Sequence, residues 1–126
     1  MKITLEKLVN ATAALTWLSE VSDVDHLNAT AKYNLAHLLG AIAPHMAAYE
    51  AARLAAVRRY GEEGENGFQV APRNLAAFGD EMLELLRTTE CELPDTVIPT
   101  IPLMEIITPI HLLQLDWLLE KPTEED

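Results

Sequence analysis

Apolar and polar positions repeat at helical spacing near the start of the chain. Leu5, Leu8, Thr12 and Leu15 recur at three- and four-residue steps, which places them on one face of a helix. The pattern predicts an amphipathic helix over about residues 4–20.

A second, longer helical pattern follows. Ser22 lies three residues before Asp25, an arrangement similar to a capping box, so we expect this helix to start near Asp25. Its apolar seam has nearly the alternating three- and four-residue spacing of a helix packed lengthwise on another. The seam comprises Leu35, Leu39, Ile42, Met46, Tyr49, Arg53, Val57 and Tyr60.

Pro44 interrupts this seam. Proline lacks the N–H that would bond to the carbonyl of Gly40, and its ring presses on that carbonyl. We expect a kink at Pro44 rather than a helix end. Two helices that meet near Ala43 are the alternative.

The stretch YGEEGENGFQV, residues 60–70, ends the long pattern. Gly61 follows Tyr60 directly, which predicts a helix C-terminus closed by a residue that can adopt positive φ. The alternation in GFQVA then predicts a short extended segment. Pro72 suits the first turn of a third helix to about Thr89 that folds back along the second.

Prolines change the pattern after Glu90. Pro94, Pro99 and Pro102 favour extended backbone, so residues 90–107 are predicted to form an extended arm. One short strand over residues 91–93 is expected to pair with residues 68–70. Thr108 as N-cap and Pro109 at the first helical position then predict a last short helix that reaches about Glu120.

Composition limits the size of the fold and its partners. The 126 residues are 49% apolar and carry a formal charge of −11, which predicts a single helical domain over residues 1–120 with a flexible acidic tail over 121–126. Acids outnumber bases 20 to 9, which argues against nucleic acid and anionic membrane as direct partners. A lone cysteine, together with the lack of an apolar span or signal core, predicts a protein of the cytoplasm.

Candidate catalytic and metal-binding residues do not form a known motif. His26, His37, His45 and His111 lack a second His or Cys at metal-ligand spacing. Cys91 lies between two glutamates, which disfavour its thiolate. The sequence therefore predicts no catalytic residue, no cofactor and no metal site.

The glycine-rich break could also hold an ion. Its glycines lack the lysine of a phosphate loop, and its acids would repel phosphate. Calcium binding by Glu62, Glu63 and Glu65 is a better interpretation than phosphate binding, although the donor spacing of an EF-hand is missing. A solvated turn between two helices is the preferred interpretation.

The last helix is apolar on nearly every side, so it has to be covered from several directions. Either the arm wraps it onto its own bundle or another protein supplies the cover. Aromatic and aliphatic groups tend to dominate interface energy, so the predicted protein-interaction residues are Ile110, Leu112, Leu113, Trp117 and Leu118.

The chain resembles a group of small bacteriophage-encoded helical proteins. The resemblance covers roughly residues 31–93 and is carried by AYEAARLAAVRRYGEEGENGFQV and FGDEMLELLRTTECELP. It consists of a Tyr-Glu-x-x-Arg helix that runs into Tyr-Gly, an acidic turn and a second helix that ends before an acidic extended piece. It implies a prefoldin-like helical hairpin with short strands and implies no catalytic activity.

Together these features predict a mainly α fold, with a long antiparallel helical hairpin, two further packed helices and at most a minimal two-stranded β element. The predicted function is that of a non-enzymatic phage or prophage interaction protein: a homo-oligomeric assembly factor or minor structural component. The alternative is an acidic inhibitor that occupies a basic, nucleic-acid-binding surface on a host defence protein.

Overall fold

The computed structural model describes residues 1–21, 27–65 and 67–120. The elements in chain order are β1 (Lys2–Thr4), α1 (Leu5–Asn10), α2 (Thr12–Val21), α3 (Ala29–Tyr60), β2 (Gly61–Gly64), β3 (Gly67–Val70), α4 (Leu75–Thr88), β4 (Glu90–Glu92) and α5 (Pro109–Gln114), with short 3-10 turns at Pro72–Asn74 and Ile101–Leu103. The mainly α fold is confirmed. Two two-stranded sheets are present, whereas the sequence predicted at most one.

The first predicted helix is divided into α1 and α2. Thr4 caps α1, since its side chain accepts a hydrogen bond from the backbone N–H of Lys7 at 3.2 Å. Ala11 separates the two helices, but its N–H still bonds to the carbonyl of Lys7. The apolar stripe therefore stays on one side, and Leu5, Leu8 and Leu15 are buried as predicted, whereas Thr12 is exposed.

The long helix starts later than predicted. Asn28 is the N-cap of α3, and its side chain accepts from the N–H of Ala31 at 2.8 Å. Ser22 and Asp25, the predicted cap, lie outside the described residues. Pro44 lies inside one continuous helix of 32 residues, so the alternative of two helices is wrong.

Helix α4 runs back along the C-terminal half of α3. Near the connection, Arg59 donates to Glu81 at 2.5 Å and the rings of Tyr60 and Phe78 meet edge to face. Just after the far end of α4, a ring nitrogen of His45 lies 3.4 Å from the carbonyl of Glu92. These contacts give the antiparallel helical hairpin that the sequence predicted.

The predicted pairing of residues 91–93 with 68–70 is wrong. Strand β4 pairs antiparallel with β1, with Ile3 opposite Cys91, and β3 pairs with β2. The β1–β4 pair buries both of those side chains. A hydrogen bond from the N–H of Leu93 to the carbonyl of Met1 extends it.

Gly61 is the C-cap of α3, as predicted, but it does not use a positive φ, because its backbone is extended at φ −100° and ψ 169°. A Cβ at this position would lie 2.3 Å from the carbonyl oxygen of Val57 and 2.8 Å from that of Gln69. Gly61 is therefore required for close backbone approach. The positive φ of the hairpin is found at Gly67, at 91°.

The hydrophobic core lies at one end of the molecule. It joins α1, α2 and the N-terminal half of α3 with the sheet β1–β4 and the C-terminal segment. Outside this core, the buried apolar side chains among the described residues are Ala56, Ala71 and Met82. The distal half of the helical hairpin is thus thinly packed.

Candidate interaction surface

The segment after β4 is fastened to the core at both of its ends. The N–H of Ile98 donates to the carbonyl of Leu118, and the N–H of Glu120 donates to the carbonyl of Ile98, each at 2.9 Å. These bonds form a parallel bridge between Ile98 and Leu119. Residues 98–120 therefore form a closed loop, which includes the second half of the predicted extended arm.

Within this loop, local sequence signals set the position of α5. The hydroxyl of Thr108 accepts from the N–H of His111 at 3.3 Å, and Pro109 occupies the first helical position. Both features were predicted. The helix ends at Gln114 rather than near Glu120, and Leu115 to Leu118 continue as turns.

The structure divides the predicted interaction residues between the core and the surface. Leu118 is fully buried within its own chain. Trp117 is partly buried, and its indole N–H donates to the carbonyl of Gln114 at 3.0 Å. Ile110, Leu112 and Leu113 are 61%, 42% and 75% exposed, and these three form what we call the apolar ridge.

The opposite side of α5 packs on α2. The imidazole of His111 lies against the indole of Trp17, with ring centroids 4.8 Å apart and the planes tilted by 35°. The Nδ1 atom of His111 is buried and has no hydrogen-bond partner among the described residues. This contact leaves Ile110 and Leu113 facing outward, because they lie about 60° apart around the helix and away from His111. Leu112 lies about 100° around the helix from both Leu113 and His111, at the edge of the apolar ridge.

Acidic residues precede and follow α5 in the sequence. From Leu93 to Glu120 there are four acids, Asp95, Glu105, Asp116 and Glu120, and no lysine or arginine. The carboxylate of Asp95 pairs with the α-amino group of Met1 at 2.7 Å, which lowers the pKa of Asp95 by hydrogen bonding. Glu105 and Asp116 are exposed and have no ion-pair partner in the described part of the chain.

A groove that the sequence did not predict lies between α2 and α3. Its volume is about 300 Å³. Leu39, Ile42 and Met46 line its α3 side, and the α2 side is mainly polar, with Thr12, Leu15, Thr16, Ser19 and Glu20. The three α3 residues were assigned to the seam of the hairpin, so periodicity gave no sign that part of this seam stays open.

The candidate chemical residues are dispersed. Cys91 is fully buried, and burial raises the pKa of its thiol. Asp80 and Glu84 are exposed on α4, where solvent surrounds both carboxylates. No group of three His, Cys, Asp or Glu residues in ranges 1–21, 27–65 and 67–120 could hold a metal ion.

The glycine-rich stretch forms the β2–β3 hairpin rather than a helix-to-helix turn. Glu62 is ion-paired with Arg73, which ties the hairpin to the turn before α4. Glu63 and Glu65 are exposed. The arrangement thus accounts for Glu62 by a structural ion pair instead of a cation site.

Comparison with known protein families, curated proteins and solved structures finds no match to this chain. The resemblance to phage-encoded helical proteins therefore stays a prediction. Among the helices of the described residues, none is both long and apolar enough to cross a membrane.

Proposed function

We propose that this protein is a non-enzymatic interaction protein, an assembly factor or minor structural component, that binds another protein through the apolar ridge. One observation carries the proposal. Three large aliphatic side chains, Ile110, Leu112 and Leu113, point into solvent from a segment that is fastened to the core on both sides. Exposed apolar groups that are held in place and rimmed by polar residues mark interaction sites.

The packing of this segment onto the core supports a binding role. Leu103, Leu115 and Leu118 are fully buried, so the loop adopts its shape without a partner. A preformed surface loses less conformational entropy on binding than a flexible tail does. Homo-oligomerisation and a phage or prophage origin stay predictions from the sequence.

Site-specific photo-cross-linking in cells of the natural source tests the proposal. A benzoylphenylalanine at position 113 is expected to form a discrete adduct, because Leu113 is 75% exposed on the apolar ridge. The control is position 33 on α3, because Tyr33 is 72% exposed. Adding Ile110→Ser should abolish the adduct from position 113.

The mass of the adduct identifies the partner type. Twice the mass of the chain, confirmed by solution mass at micromolar concentration, indicates a homo-oligomer, and any other discrete mass indicates a different protein. Equal adducts from positions 113 and 33, or none from 113, would exclude the apolar ridge as the binding surface.

A second candidate function is the acidic inhibitor of a basic surface. Asp80 and Glu84, four residues apart on α4, favour it, since both are exposed and neither has an ion-pair partner in the described residues. Binding through these carboxylates should weaken steeply as salt rises. Binding through the apolar ridge should depend on salt less steeply, because aliphatic contact gives most of its affinity.

A further inference from the structure

We infer that the partner of the apolar ridge is a basic amphipathic protein segment, in which an apolar stripe is flanked by lysine or arginine, rather than a second copy of this chain. The inference rests on the proposed function and adds the chemistry of the partner. It follows from the charges that surround the apolar ridge.

Exposed acidic residues lie on both sides of α5 in the sequence, and we call two of them, Glu105 and Asp116, the rim. Glu105 follows the exposed Met104 in the turn before α5, and Asp116 lies in the turn that follows α5, three residues beyond Leu113 in the sequence. Both carboxylates are exposed and lack a cation from their own chain in the described residues. They are therefore available to a partner's cations.

A second copy fits this rim poorly. In a symmetric dimer the same patch meets itself, so two apolar ridges in contact would bring two sets of Glu105 and Asp116 to one interface. Each chain also carries a net charge of −11. Like charges placed together at an interface oppose association, whereas opposite charges steer it.

A basic amphipathic partner matches both the apolar ridge and the acidic rim. Its apolar stripe would cover Ile110, Leu112 and Leu113, and its lysines or arginines would lie against Glu105 and Asp116. Amphipathic helices that lay an apolar face on a complementary surface are a common form of protein recognition. Aliphatic contact gives most of the affinity here, and the rim gives the selection for charge.

Two synthetic 18-residue peptides test the inference. Both carry leucines at helical spacing on one face; the remaining positions are lysine in one peptide and glutamate in the other. Binding to the full chain is measured by fluorescence anisotropy at physiological salt. The lysine peptide is expected to bind and the glutamate peptide is not.

Three double variants locate the binding. Ile110→Ser with Leu113→Ser should lower the affinity for the lysine peptide by about tenfold or more, because anchoring side chains are lost. Glu105→Gln with Asp116→Asn should lower this affinity by about fivefold, because the rim charges are lost. Asp80→Asn with Glu84→Gln removes the same number of charges from α4 and should leave the affinity within about twofold.

The outcomes separate the two proposals. If the ridge variant binds as the wild type does, with its fold intact by circular dichroism, the apolar ridge is not the binding surface and the proposed function fails. Suppose that the ridge variant binds more weakly but the rim and α4 variants have the same affinity for the lysine peptide. In that case only the basic partner is refuted, and the same holds if both peptides bind equally well. A dimer in solution that the ridge variant dissociates would assign the surface to a second copy and would also overturn the inference.

Discussion

Two glycines, Gly61 and Gly79, have opposite surroundings and should respond oppositely to the same substitution. A Cβ at Gly61 would lie 2.3 Å from the carbonyl oxygen of Val57, whereas a Cβ at Gly79, inside α4, meets no atom within 4 Å. We expect Gly61→Ala to lower the free energy of unfolding by about 1–3 kcal/mol. Gly79→Ala should raise it by about 0.5–1 kcal/mol, since alanine favours the helix. Urea unfolding of both variants measures this, and a change of the same sign would contradict the steric explanation.

Cys91 gives a second prediction for a single residue, because burial raises the pKa of its thiol. Ellman's reagent at pH 8 should modify it slowly in the native protein and rapidly in urea. The unfolded thiol ionises first as pH rises past about 8.5. The stability that the buried neutral thiol contributes is thus present below that pH and lost above it. Cys91→Ala should remove this part of the decline in the free energy of unfolding at alkaline pH. Rapid labelling of the native protein would refute the prediction.

Among the elements, α3 contains a residue that opposes its own helix. Pro44 is exposed and lies in the middle of α3, where it can donate no hydrogen bond to Gly40. Pro44→Ala should raise the free energy of unfolding by about 1–2 kcal/mol, because the restored bond outweighs the added freedom of the unfolded chain. Thermal unfolding by circular dichroism measures the change. A lower melting temperature would mean that the proline stabilises a bend that the fold needs.

The elements that the sequence predicted well are those encoded by nearby residues. Thr108 and Pro109 start a helix through contacts within four residues, and α4 follows from its own periodicity. The pairing of Ile3 with Cys91 joins segments that are distant in sequence, so no local pattern indicates it. For the same reason, the sequence could not tell which of the predicted interaction residues are exposed and form the apolar ridge. Leu113 and Leu118 look alike in sequence, and tertiary packing decides which one is buried.

Unequal packing along α3 predicts unequal local stability. The N-terminal half of α3 buries Leu35, Leu38 and Ile42 in the core, whereas in the C-terminal half Ala56 alone is fully buried. Ion pairs such as Arg59–Glu81 hold the distal half, and exposed pairs contribute little. Amides of residues 50–60 should therefore exchange hydrogen faster than those of residues 31–42. Equal protection, measured by mass spectrometry of peptic peptides, would show that the hairpin opens only with the whole fold.

At the scale of the whole molecule, the C-terminal segment has two faces with separate roles. Its inner face completes the core through Ile98, Leu103 and Leu118, and its outer face carries the apolar ridge. The sequence left open whether the chain or a partner covers the last helix, and the structure shows that its own chain covers one side. Stability and binding are thus assigned to different residues of one element.

A matched pair of leucines tests this division. Leu118 is fully buried and Leu113 is 75% exposed, so Leu118→Ala should lower the free energy of unfolding by about 2–5 kcal/mol through lost burial and a cavity. Leu113→Ala should change it by less than about 0.5 kcal/mol, as exposed positions do. Binding should respond in the opposite order. At a temperature where both variants are folded, Leu113→Ala should lower the affinity for the lysine peptide, and Leu118→Ala should leave that affinity unchanged. If Leu113→Ala destabilised the fold as much as Leu118→Ala does, the outer face would belong to the core and the apolar ridge would lose its role as a binding surface.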